Sequence, residues 1–151
     1  MLLLLFRVGE DRYALDTQAI VEVIPRVSLV RYHGTPPTVA GRFNYQGQIV
    51  PVLDLSQLLG DKPCEPVWST RIIVVNLAPS PAQPRLLGLL VEQATETLAG
   101  EGVKSAENRL QLSQQPYLGD VLLQDHEMIQ CLKVEQILAE HHYDSLLSPL
   151  D

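Results

Sequence analysis

Four histidines, His33, His126, His141 and His142, and a scatter of carboxylates are the residues of this 151-residue chain whose types suit acid–base or metal chemistry. His141 and His142 are adjacent, so on any helix they point to different faces and make a poor metal pair. His126 lies between Asp125 and Glu127 in a stretch of turn composition, and it reads as part of a polar turn. Asp16 and Asp54 invite a paired-carboxylate reading. Each ends an apolar run just where a short helical turn can begin, however, and a carboxylate there caps the free amides of the first turn. Glu92, Glu96, Glu101 and Glu107 are spread through polar sequence and read as a solvated face. The sequence contains no GxSxG, HExxH, Walker loop or GxGxxG, and a reaction needs a nucleophile, a base or a metal in a named role. The chain is therefore expected to be no enzyme, with no cofactor and no metal. Trp68, the single tryptophan, falls in a proline-flanked loop and is expected to pack over an end of the core, with an interface anchor as the alternative.

The elements that remain are built to present a surface. Asn44-Tyr45-Gln46-Gly47-Gln48-Ile49-Val50-Pro51-Val52-Leu53-Asp54-Leu55 carries a turn at Gly47 followed by period-two alternation, a hairpin with its second arm at 48–54. Gly47 supplies positive φ without steric cost. Pro51 has no amide to donate, which predicts a sheet edge or a bulge. Apolar residues fall on both faces of this strand. They imply either burial on both sides or one face reserved for a partner, and the partner reading is preferred.

The same signals continue along the chain. Residues 2–8 and 12–15 form a hairpin around Gly9-Glu10-Asp11, Asp16-Thr17 caps a short turn over 18–20, and 21–24 is a strand stopped by Pro25. Residues 27–32 read as a further strand, and 35–39 as a turn before Gly41. A helical turn over 55–59 is closed by Gly60, a loop runs from 61 to 69, and strands follow at 71–77, 86–91 and 94–99. Residues 78–84 carry three prolines and read as a loop, and 100–116 has no clear period. A final hairpin over 117–123 and 128–132 precedes a helix of about two turns from Val134, and 141–151 is expected to be a flexible tail. Roughly ten short strands without strand–helix–strand alternation predict an all-β sandwich or pair of barrels.

Composition narrows the partners. A net charge of −7 with no cluster of Lys or Arg lacks the basic footprint that releases phosphate counterions, so nucleic acid is set aside. Charged residues make up 19% against a typical share of about 25%, which leaves apolar surface to be covered. Cys64 and Cys131 stand far apart in no CxxC spacing, which fits a reducing compartment and a cytoplasmic location. The leading Leu2-Leu3-Leu4-Leu5-Phe6 is broken by Arg7, lacks a basic leader and falls far short of the roughly 20 residues that span a bilayer. It reads as a buried strand, and no direct membrane insertion is expected.

Val8-Gly9-Glu10-Asp11-Arg12-Tyr13-Ala14-Leu15-Asp16 with Val21-Glu22-Val23-Ile24 resembles the opening of CheW-like chemotaxis coupling domains. The 44–55 segment, Thr70 to Leu77, and Leu86 to Glu92 extend the resemblance. It implies two intertwined five-stranded SH3-like β-barrels with a hydrophobic junction, short helical turns and a C-terminal helix, so that 1–151 forms one domain of two barrel subdomains. It also implies a non-enzymatic adaptor coupling the cytoplasmic tips of methyl-accepting chemoreceptors to the regulatory domain of a CheA-type histidine kinase, in flagellar chemotaxis or a pilus or surface-sensing pathway. The alternative is a module that keeps the fold and serves another two-component or second-messenger pathway without direct receptor contact. By position, the resemblance places Ile20, Glu22, Gly41, Asn44, Gln46, Gly47, Gly88 and Ala94 at partner-contact or groove-lining sites. Gln46 stands where the family usually has Arg, so a charge-assisted hydrogen bond of about 1.5–3 kcal/mol falls to a neutral one of about 0.5–1.5 kcal/mol. The 128–133 strand is also more polar than is usual in the family.

Overall fold

In the computed structural model, which describes residues 2–60, 62–77, 84–99, 104–105, 118–124 and 126–141, strands dominate. β1 (Leu2–Val8) and β2 (Asp11–Asp16) form the expected hairpin, turned at Gly9 with φ 62°. A single 3-10 turn, Thr17–Ala19, follows, and the amide of Gln18 donates to Asp16 Oδ1 at 3.0 Å. Then come β3 (Ile20–Pro25), β4 (Val39–Tyr45), β5 (Gln48–Asp54), helix α1 (Leu55–Gly60), β6 (Arg71–Asn76) and β7 (Leu86–Val91). β8 (Gln93–Ala99), β9 (Lys104–Ser105), β10 (Leu118–Gln124), β11 (Glu127–Leu132) and helix α2 (Val134–His141) complete the order.

These strands make a six-stranded sheet, β8-β1-β2-β11-β10-β9, and a five-stranded sheet, β3-β6-β7-β5-β4. The chain leaves the first sheet after β2, builds the whole of the second, and returns at β8. The two units therefore interlock. Most neighbours are antiparallel, while β5 lies parallel to β7 and β11 parallel to β2.

Alternation along each strand then sorts side chains into three cores. Phe43, Val50, Val52, Ile72, Val74, Leu86 and Leu90 fill the interior of the five-stranded unit. Leu3, Leu5, Ala14 and Ile129 fill the other unit. The opposite faces of the same strands meet in the largest cluster, which includes Leu4, Phe6, Leu53, Ile73, Val75, Leu87, Leu89 and Ile137. A strand between an interior and a junction must be apolar on both faces, which explains the continuous run of β6. The fold is all-β, two intertwined SH3-like units packed through a hydrophobic junction, with β9 as a two-residue addition to the first.

Four expectations are corrected. The second face of β5 is covered by the junction and not kept for a partner, for Val50 to Asp54 are all buried and Ile49 alone projects, 61% exposed. β5 is also an inner strand, between β7 and β4, and Pro51 is tolerated for a local reason. Arg42, opposite Pro51, spends both its backbone groups on Val30, so this pair exchanges no hydrogen bonds, and the ladder to β7 begins only at Val52. Residues 27–32, expected to be a strand, contribute only the isolated bridge Val30–Arg42. β8 is as long as β1, contrary to the shorter strand expected. The expected tail lies outside the described residues beyond His141, as do the loop at 78–83 and most of 100–116.

Candidate functional site

The outer strands of the five-stranded sheet are β3 and β4, and the segment after β3 folds back to join them. Val30 and Arg42 exchange backbone hydrogen bonds of 2.9 Å in both directions. Gly41 makes this approach possible, because a Cβ there would sit 2.7 Å from the Val30 carbonyl oxygen, and its φ of 146° is one that side chains rarely adopt. Tyr32 lies under the Arg42 guanidinium, 4.4 Å from ring centroid to Cζ, and holds the returning segment down.

Along this seam runs an open groove of about 330 Å³, with Ile24, Val27 and Val30 on one lip and Arg42, Phe43, Tyr45 and Gln46 on the other. Val30 is 61% exposed. The hairpin tip at one end is rigid: Gln46 and Gly47 both take positive φ, 51° and 89°, and the Gly47 amide donates to Asn44 Oδ1 at 2.8 Å. At the same end Tyr45 donates its hydroxyl to Glu22 Oε1 at 2.6 Å. The carboxylate accepting that hydrogen bond, with partial burial and its own charge, raises the Tyr45 pKa above 10.0.

The structure thus gathers Glu22, Asn44, Gln46 and Gly47 around one groove and tip. Gly41 and Gly88 are buried. A Cβ on Gly88 would lie 3.0 Å from Ile72 and Val52 inside the barrel, so its smallness serves packing. Ile20 and Ala94 belong to a different region. Both are half-buried against the junction core, Ile20 opposite Val75 on β6 and Ala94 opposite Phe6 on β1.

Sequence reasoning missed several members. Tyr45 and Val30 sit in runs whose alternation says core strand, and only the fold turns them to the seam. Glu92, read as solvated, joins the two units: it accepts the Gly9 amide at 3.1 Å and the Ser56 hydroxyl at 3.5 Å. Trp68 does not pack over the core and is 98% exposed. Glu127, beside His126, is taken up by an ion pair with Arg12. No helix among the described residues is long and apolar enough to cross a membrane.

The molecule is thus an all-β pair of interlocked units with an open groove along the seam of the five-stranded one. The sequence profile of the CheW-like domain matches residues 2–142. The chain belongs to the CheW-like family, whose members are chemotaxis coupling adaptors. It is 23% identical over 140 residues to a probable chemotaxis protein CheW of Rhizobium etli, an alignment spanning 91% of this chain and 87% of that relative. It is 30% identical over 96 residues to the chemotaxis protein CheW of Rhizobium meliloti, covering 64% of this chain and 59% of that protein. The crystal structure of the scaffolding protein TtCheW from Thermoanaerobacter tengcongensis superposes with a TM-score of 0.71 at 24% identity, over 88% of this chain and 84% of that one, and shares the fold.

Proposed function

We propose that the chain links chemoreceptors to a CheA-type histidine kinase in the cytoplasm, without catalysis, by holding two partners on two surfaces. The observation that carries this reading is the seam groove, lined by Ile24, Val27, Val30, Phe43 and Tyr45 with Asn44 and Gln46 at the hairpin end, where Glu22 holds the Tyr45 hydroxyl. The regulatory domain of the kinase docks there, an exposed Val30 and the rigid tip meeting an apolar surface of another β-barrel. A receptor tip lies along the junction edge, where Ile20 and Ala94 line the boundary between the units. Interaction sites concentrate energy in a few central apolar anchors, so the lip residues should matter more than the rim. Family membership supports both the choice of partners and a role without catalysis.

Calorimetric titration against the purified regulatory domain tests it. Val30→Glu places a charge on an exposed lip and leaves folding within about 0.5 kcal/mol, and should weaken binding about tenfold or more, since an unpaired charge in an apolar contact costs 1.4 kcal/mol or above. Gln46→Arg should change affinity several-fold in either direction. Equal affinities for the wild type and both variants would remove the seam from the kinase contact. Kinase binding with no receptor binding would point to a module serving a pathway without direct receptor contact.

A further inference from the structure

β3 and β4 stand at opposite edges of their sheet, so the Tyr45–Glu22 hydrogen bond is not a neighbour contact within a ladder. It crosses the line along which the barrel closes. Two ties span that line. The Val30–Arg42 backbone pair fixes the groove at its middle, and the Tyr45–Glu22 side-chain pair fixes it at the hairpin end. The groove lies between and beside them, with Ile24 and Val30 facing Phe43 and Tyr45.

The side-chain tie is well placed to act on the groove. The Tyr45 ring is half-buried and packs edge-on to Phe43 at 6.2 Å between centroids, so its hydroxyl is held at a set position rather than swinging in solvent. Among the described residues no ion pair reaches Glu22, and the phenol is its hydrogen-bonding partner. The tip beyond Tyr45 is locked by the Asn44–Gly47 bond, so a shift of Tyr45 relative to β3 carries Gln46 and Gly47 with it as one body. A backbone pair is indifferent to side-chain identity, whereas this tie depends on one hydroxyl and one carboxylate.

We propose that Tyr45 is a positioning residue whose hydroxyl, held by Glu22, sets the width of the seam groove at the hairpin end. It thereby decides which apolar side chain of a partner barrel can enter. The proposal rests on the docking reading given above. The Tyr45 ring lines the groove itself; the positioning role belongs to its hydroxyl, whose effect runs through Glu22 and through the angle of the tip.

The test compares full-length wild type with Tyr45→Phe, Glu22→Gln, Glu22→Ala and the double variant Tyr45→Phe/Glu22→Ala. Affinity for the regulatory domain is measured by calorimetry, and amide hydrogen exchange at Gln46 and Gly47 is followed in the free protein. Tyr45→Phe keeps the ring and its packing and should weaken binding about 5- to 10-fold, the size expected for one lost hydrogen bond. Exchange at the two tip amides should rise several-fold, while the melting temperature falls only by the few degrees that one lost hydrogen bond brings. Glu22→Gln, which retains an acceptor for the phenol, should lose less than Glu22→Ala, and the double variant should be no worse than its weaker parent. If the wild type binds and Tyr45→Phe binds equally well, the positioning role is overturned and the docking reading stands. If the wild type does not bind the domain, the docking reading falls and this proposal with it.

Discussion

The Cys64 thiol shows how a residue of reactive type is made inert by its surroundings. It is half-buried, its amide donates to Asp54 Oδ2 at 2.9 Å, and burial, with the nearby carboxylates of Asp54 and Glu92, pushes its pKa from 9.0 up to about 11. The thiolate is the nucleophile, so in a Cys131→Ser background alkylation at pH 8 should run about 100-fold slower than for an unperturbed thiol. Its rate should keep climbing past pH 9 and level off only near 11. A plateau near pH 9 would show that water reaches the sulfur freely. The linkage has a definite sign. A folded pKa above the unfolded one contributes stability that is complete below pH 9 and is lost as pH rises through about 11. The Tyr45 phenol, also raised, acts in the same direction, so the two groups together should weaken the protein in strong alkali.

At the scale of elements, the hinge of the hairpin region is Asp54, where β5 hands over to α1. The side chain is 6% exposed, and its two oxygens serve different elements. Oδ1 accepts the Gln57 amide at 3.2 Å as the helix cap, and Oδ2 accepts the Cys64 amide and so fixes the loop that leads to β6. The carboxylate that could be imagined as half of a catalytic pair is consumed by backbone. Asp54→Ala removes a cap and leaves buried amides without an acceptor, so urea unfolding should show a loss of about 2–4 kcal/mol. Asp54→Asn retains one acceptor and should lose less. Equal, small losses for both would mean that water satisfies these amides.

For the whole molecule, the decisive feature is that the largest core belongs to neither unit alone. β6 and β7 send alternate residues into the barrel interior and into the junction, where Ile73, Val75, Leu87 and Leu89 meet Leu4, Phe6 and Ile137. Glu92 adds a polar tie between the β1–β2 turn and Ser56. Two units sharing a core should unfold as one. Calorimetry and far-UV circular dichroism should give a single coincident transition, and Leu89→Ala should shift it by about 2–5 kcal/mol without splitting it. A second transition in the variant would show that the junction does not couple the units.

The sequence by itself determined most of the strands, because alternation, glycine at turns and carboxylates at helix starts are local physics. The Gly9 turn, the Asp16 cap, the hairpin at Gly47 and the RIIVVN strand all needed only neighbours within a few residues to be read. It also carried the family, through a motif long enough to be specific. What a local pattern does not contain is which face meets what. A strand that is apolar on both sides reads alike whether its second face is a junction or a docking surface, and for β5 the junction took it. Pro51 looks like an edge residue until Val30, a residue distant in sequence, takes both backbone groups of its partner Arg42. Closure of the barrel decided that Tyr45 meets Glu22, that Gly41 and Gly88 are buried, and that Trp68 is left in solvent, since each depends on contacts between segments far apart in the chain.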